Sequence, residues 1–169
     1  MILKMKFRFY GVLLLVIAAT LVSSCKKDKV KGCLDASAIN YDANAEEDNG
    51  NCTFERDKFL GSWSGLLANT NNPGIPDTIY NFPFSIVINP NSKNDVIIND
   101  FPVSGAPSSA FVNSTNRFSL VIPKQNITSG LDSFGLSGTG QVSDDQIVFL
   151  LLKELPGILD TISVSAQKQ

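Results

Sequence analysis

Tyr80-Asn81-Phe82-Pro83-Phe84-Ser85-Ile86-Val87-Ile88-Asn89 is the stretch that decides the fold class of this 169-residue chain. Every second residue from Tyr80 to Ile88 is large and apolar, and Asn81, Pro83 and Ser85 stand between them. A period of two puts the first set on one face of an extended strand and the second on the other, the pattern of a half-buried strand. Downstream the alternation returns: Phe118, Leu120 and Ile122 share a face, as do Phe134, Leu136 and Gly138, and then Ile158, Ile162, Val164 and Ala166. The run Ile147-Val-Phe-Leu-Leu-Leu152 is continuously apolar, which predicts a strand that is either covered on both faces or central in its sheet.

Turn-forming clusters separate these runs, at Asn89 to Asn94, Asn113 to Asn116, Ser143 to Asp145 and Pro156-Gly157. Short strands at this spacing, with no amphipathic helix in the same region, predict an all-β domain over 55–169. Its expected form is an antiparallel meander of about eight strands closed as a small barrel or sandwich. Asn69 to Thr78 and Ser104 to Ser109 are its long polar connections, the kind of loop that forms the mouth of a site.

Upstream, Lys4, Lys6 and Arg8 precede an apolar run from Gly11 to Val22, and Ser23-Ser24 precede Cys25. The uncharged run from Phe9 to Cys25 is shorter than the ~20 apolar residues of a membrane-spanning helix. The arrangement resembles a bacterial lipoprotein signal peptide with its lipobox. That resemblance implies removal of residues 1–24, a lipidated tether over 25–32, and acylation of Cys25 by palmitate-type chains. Each buried CH₂ would contribute roughly 0.8 kcal/mol to membrane attachment. Lys26 follows Cys25 where retention in the inner membrane would call for Asp, so the resemblance implies the outer membrane, with the leaflet open. From Cys25 onward the chain has 11 basic and 16 acidic residues, which argues against nucleic acid as a partner.

With Cys25 lipidated, Cys33 and Cys52 are left to pair with each other. An exported protein keeps disulfides, and a ring of this size would stabilise the fold by roughly 3 kcal/mol. Two thiols in a chain with no histidine make a poor zinc site. Residues 33–52 hold five acidic side chains and no basic one. Gly32-Cys33-Leu-Asp35, Ala38-Ile-Asn40-Tyr41 and Asp48-Asn-Gly-Asn-Cys52 resemble a short repeat of exported Bacteroidetes proteins, related to thrombospondin type 3-like calcium repeats. The resemblance implies calcium, with Asp35, Asn40, Asp42, Asn44 and Asp48 as ligands, since a hard cation takes six to eight oxygens. Taken on the residues alone, a solvated acidic loop held shut by the disulfide accounts for them as well.

At the start of the β-domain, Gly61-Ser62-Trp63 resembles the opening Gly-x-Trp of lipocalin-like barrels. There the Trp closes one end and an Arg near the last strand covers it; this chain offers Lys168 at that place. Lipobox, calcium-like repeat and β-domain in this order resemble the small lipocalin-like lipoproteins of the Bacteroidetes. Asp77-Thr78-Ile79 and Asp160-Thr161-Ile162 resemble the O-glycosylation tripeptide of the same exported proteins.

Catalytic chemistry finds little footing, with no histidine for a triad and no thiol to spare. A carboxylate pair drawn from Asp132, Asp144-Asp145 and Glu154, as a glycan-acting enzyme would use, is the one catalytic alternative, and Gly135, Gly138 and Gly140 read as a bend or bulge in a strand. The expectation is therefore a non-enzymatic module at the membrane, binding a protein, a glycan or a small apolar ligand. An apolar carrier needs a hollow barrel, whereas Phe82, Phe84, Ile86, Phe118, Leu120, Phe134 and Phe149 are bulky enough to fill one.

Overall fold

The computed structural model describes residues 27–69, 80–101, 106–129 and 132–169. They fall into two compact units, one of 27–34 with 42–51, the other of 35–41 with 52–169. Strands follow in the order β1 Lys31–Gly32, β2 Glu47–Asp48, β3 Gly61–Asn69, β4 Tyr80–Ile88, β5 Asp95–Asn99, β6 Ser108–Val112, β7 Ser119–Ser129, β8 Asp132–Ser143, β9 Gln146–Leu155 and β10 Ile158–Lys168. A 3-10 helix, Glu55–Phe59, precedes β3.

In the smaller unit β1 and β2 pair in parallel, Lys31 with Glu47 and Gly32 with Asp48. A side chain at Gly32 would come within 2.9 Å of Asp42, so glycine permits this approach.

Strands β3 to β10 form a closed antiparallel barrel in which each strand pairs with its neighbours in sequence and β10 closes on β3. This is the eight-stranded meander expected from the periodicity. Closure pairs every backbone edge, which removes the exposed strand edges that open sheets must protect. The polar clusters at Asn89 to Asn94, Asn113 to Asn116, Asp144-Asp145 and Pro156-Gly157 are all turns. A register shift between Ile122 and Gln125 places Pro123 and Lys124 in a bulge of β7, where proline's missing N–H costs no ladder bond.

Inward positions alternate along every strand. Trp63, Phe84, Ile86, Val96, Ile98, Leu120, Ile122, Phe134, Leu136, Ile147, Phe149, Leu151, Ile162 and Val164 build one core. Gly140 stands beside Phe149, and a Cβ there would lie 2.4 Å from the ring, so the glycine is the space that the phenylalanine occupies.

Two expectations need correction, and one alternative is decided. Ile147 to Leu152 lies between two paired strands but is not covered on both faces: Ile147, Phe149 and Leu151 are buried, while Val148, Leu150 and Leu152 face outward and are exposed. Closing the sheet into a barrel gives each strand only one packed face, and no layer covers the other. Phe118 does not share the face of Leu120 and Ile122. It precedes β7 in a turn, is 58% exposed, and lies under the Lys58 ammonium, 4.5 Å from its ring centroid. Ile158 belongs to the tip of the β9–β10 hairpin and is exposed as well, beyond the level at which its strand meets the core.

Candidate functional site

The two ends of the barrel differ. One is closed by residues 54–63. Asp57 accepts a hydrogen bond from the Phe54 N–H at 2.7 Å and so caps the 3-10 helix. Phe59 is fully buried, and its carbonyl accepts the Trp63 indole N–H at 3.1 Å. Lys168 lies over the other side of the indole, its Nζ 5.5 Å from the ring centroid. Arg56, also buried, donates to the carbonyls of Ser92 and Asn89 in the β4–β5 turn and stacks on Phe54. Nothing in the sequence singled out Arg56, because a buried arginine bonding to turn carbonyls has no local pattern.

Around this helix runs a set of ion pairs. Glu55 accepts from Lys58 at 2.6 Å and from Arg117 at 2.8 Å. The Lys58 ammonium holds its carboxyl below the usual range, against the opposing effect of burial and with help from Arg117. Asp35 pairs with Lys93 and accepts from Ser37; Lys93 first, and Ser37 after it, bring its pKa from 3.8 to about 2. Residues 36–39 and the turns at Asn94 and Asn113 line a cleft of about 380 Å³ with Glu55 and Arg117.

The interior is filled with rings. After β5, Asp100 adopts a left-handed φ of 59°, and Phe101 turns into the barrel. Phe101 lies 4.5 Å from Phe149 and 5.0 Å from Phe84, centroid to centroid, in tilted geometries that aromatic pairs favour. Phe84 stacks on Trp63 at 6.4 Å and on Phe82 at 5.7 Å. The Phe101 carbonyl accepts the buried Ser108 hydroxyl at 2.8 Å, which fixes this inward turn. Phe101 was absent from the inward residues expected from sequence, since it lies outside any alternating run.

At the opposite end the hairpin tip Leu155 to Leu159 presents Ile158 and Leu159 to solvent. Lys153 lies over Phe134 at 4.6 Å, and Glu154 pairs with Lys124 at 2.5 Å. The connections 70–79, 102–105 and 130–131, and with them Asp77-Thr78-Ile79 and most of the two long polar loops, lie outside the described residues.

Of the sites expected from sequence, Cys25 and the whole signal segment lie outside the described residues. Cys33 and Cys52 are joined in a disulfide. In the calcium-like repeat the candidate oxygens serve local turns. Asp42 Oδ1 accepts from the Asn44 N–H at 2.9 Å, Asp48 Oδ1 from the Gly50 N–H at 3.0 Å, and Asn40 Oδ1 from the Thr53 N–H at 2.8 Å. Asp35 is committed to Lys93. Among the described residues no three Cys, Asp or Glu side chains are grouped as a metal ion would hold them. Asp144 and Asp145 are exposed in their turn, and Asp160-Thr161-Ile162 lies within β10, not in a turn.

No family model matches the chain, and no curated protein matches it. Among solved structures, a redesigned beta barrel is similar, at 15% identity over 68% of this chain and 95% of that one, with a TM-score of 0.45.

Proposed function

We propose that this chain is a lipid-anchored, non-enzymatic module of the cell envelope, in which Cys25 carries the anchor and a solid β-barrel serves as a scaffold for binding. The observation that carries the scaffold reading is the filled interior: Phe84, Phe101 and Phe149 meet at its centre and Trp63 closes it below. An eight-stranded barrel either packs its interior or holds one ligand, and rings at these distances take the space that a carried molecule would need.

The polarity of the barrel supports the same reading. Residues 52–59 lead into the end closed by the 3-10 helix, and the connections 70–79, 102–105 and 130–131 join strands at the other end, beside the hairpin tip. These connections are the binding face in this proposal, with a protein or glycan partner.

Two measurements test it. A displaceable fluorescent fatty acid should show no saturable binding to the protein; binding with displacement would establish a carrier. An alkyne fatty acid fed to expressing cells should label the chain in the membrane fraction, and Cys25→Ser should abolish the label. Label retained in that variant would remove the anchor.

A further inference from the structure

The outer wall formed by β8, β9, β10 and β3 has a ridge beside a groove. Val148, Leu150 and Leu152 stand outward on β9, 48%, 56% and 40% exposed, at successive positions of one strand face. Beside them on β10, in register, come Ser165, Ser163 and Thr161. Beyond Ser165 stands Leu66 of β3, 45% exposed. Ser165 therefore forms the floor of a cleft of about 420 Å³ between Leu66 and Val148.

This wall is free of charge. On β8 the outward residues are Ser137, Thr139, Gln141 and Ser143; on β10, Thr161, Ser163, Ser165 and Gln167; on β3, Ser62, Ser64 and Leu66. Among the described residues of these strands, no Asp, Glu, Lys or Arg faces outward between Glu154 at one end and the Asp144-Asp145 turn at the other. Depletion of charge around exposed aliphatics is the compositional mark of an interface centre. A charged partner would bury its charges there unpaired, at a cost that nothing on the wall offsets. A surface that is itself uncharged meets no such penalty.

We infer that this wall pairs with the same wall of a second copy of the chain. A two-fold axis lying over the wall, parallel to the strands and midway between β9 and β10, carries the ridge of one copy above the groove of the other. Height along the axis is unchanged by the rotation, so Leu150 of each copy falls over Ser163 of its partner, its own cross-strand neighbour. The contact is isologous: residue 150 meets 163 and 163 meets 150. Strand spacings of about 4.8 Å and side chains two residues apart give ridge and groove the same repeat.

Sedimentation velocity of the full chain in mild detergent tests the pairing. The expected result is a concentration-dependent dimer. Leu150→Lys and Ser163→Glu should each weaken it by more than about tenfold, because each leaves a buried charge without a partner. An equimolar mixture of the two single variants should restore it, since the lysine of one copy then faces the glutamate of the other. Thermal unfolding of the exposed-site variants should match that of the parent, which separates lost pairing from lost folding. A monomer at all concentrations, a dimer indifferent to Leu150→Lys, or a mixture of the single variants that stays monomeric would overturn the inference.

Discussion

Lys168 lies over the indole of Trp63, with its ammonium 5.5 Å from the ring centroid, so the last residue of the last strand covers the aromatic that closes the barrel. The Trp63 N–H is bound from the other side by the Phe59 carbonyl. Helix, first barrel strand and last strand thus meet at one ring.

Lys168→Ala should lower unfolding stability by about 1 kcal/mol, the scale of a partly exposed cation–π contact. Lys168→Arg should keep most of it, because a guanidinium stacks on an indole at least as well. Urea unfolding followed by Trp63 fluorescence measures both. Equal loss in the two variants would mean that the lysine contributes by some contact other than its charge above the ring.

Gly140 and Phe149 make a second pair that one substitution separates. Gly140→Ala places a methyl group against the ring and should cost about 1–3 kcal/mol, the range for overpacking a core. Adding Phe149→Leu, which withdraws the ring, should return part of that loss. A Gly140→Ala protein as stable as the parent would show that the ring moves freely and that the interior is looser than the packing implies.

Much of the barrel was legible because period-two alternation is a local property. Phe84 and Ile86, or Ile162 and Val164, are buried for the same reason that they alternate. What failed was everything set by closure. The sequence of β9 reads as apolar on both faces, and only the absence of a covering layer exposes Val148, Leu150 and Leu152. Phe101 and Arg56 reach the core from a turn and a helix, where side-chain direction depends on backbone dihedrals that no periodicity encodes. In the acidic repeat Asp42 and Asp48 serve turns with oxygens of the kind that calcium takes, and Lys93, which pairs with Asp35, is 58 residues away and so has no local signal.

The repeat gives a third prediction. One oxygen each of Asn40, Asp42 and Asp48 accepts a backbone N–H and Asp35 pairs with Lys93, so millimolar calcium should leave thermal unfolding unchanged, and chelator should do the same. Reduction of the Cys33–Cys52 bridge should matter far more, by roughly 3 kcal/mol for a ring of this size. A rise in unfolding temperature with calcium, lost in Asp42→Ala with Asp48→Ala, would reinstate the metal.

The Asp35–Lys93 pair gives the fourth, through pH. The carboxyl of Asp35 titrates at about 2 in the folded chain against an ordinary 3.8, because Lys93 and Ser37 favour its charged form. A depressed pKa contributes stability that is fully present above the unfolded value and is lost as pH falls through the folded one. The loss therefore lies between about pH 4 and pH 2. In Lys93→Met the main cause is gone, so the Asp35 midpoint should rise toward its ordinary value and this part of the acid dependence should disappear. Carboxyl NMR titration of both proteins reads the midpoint directly. An Asp35 midpoint unchanged by Lys93→Met would show that Ser37 and the backbone hold the carboxylate without the lysine.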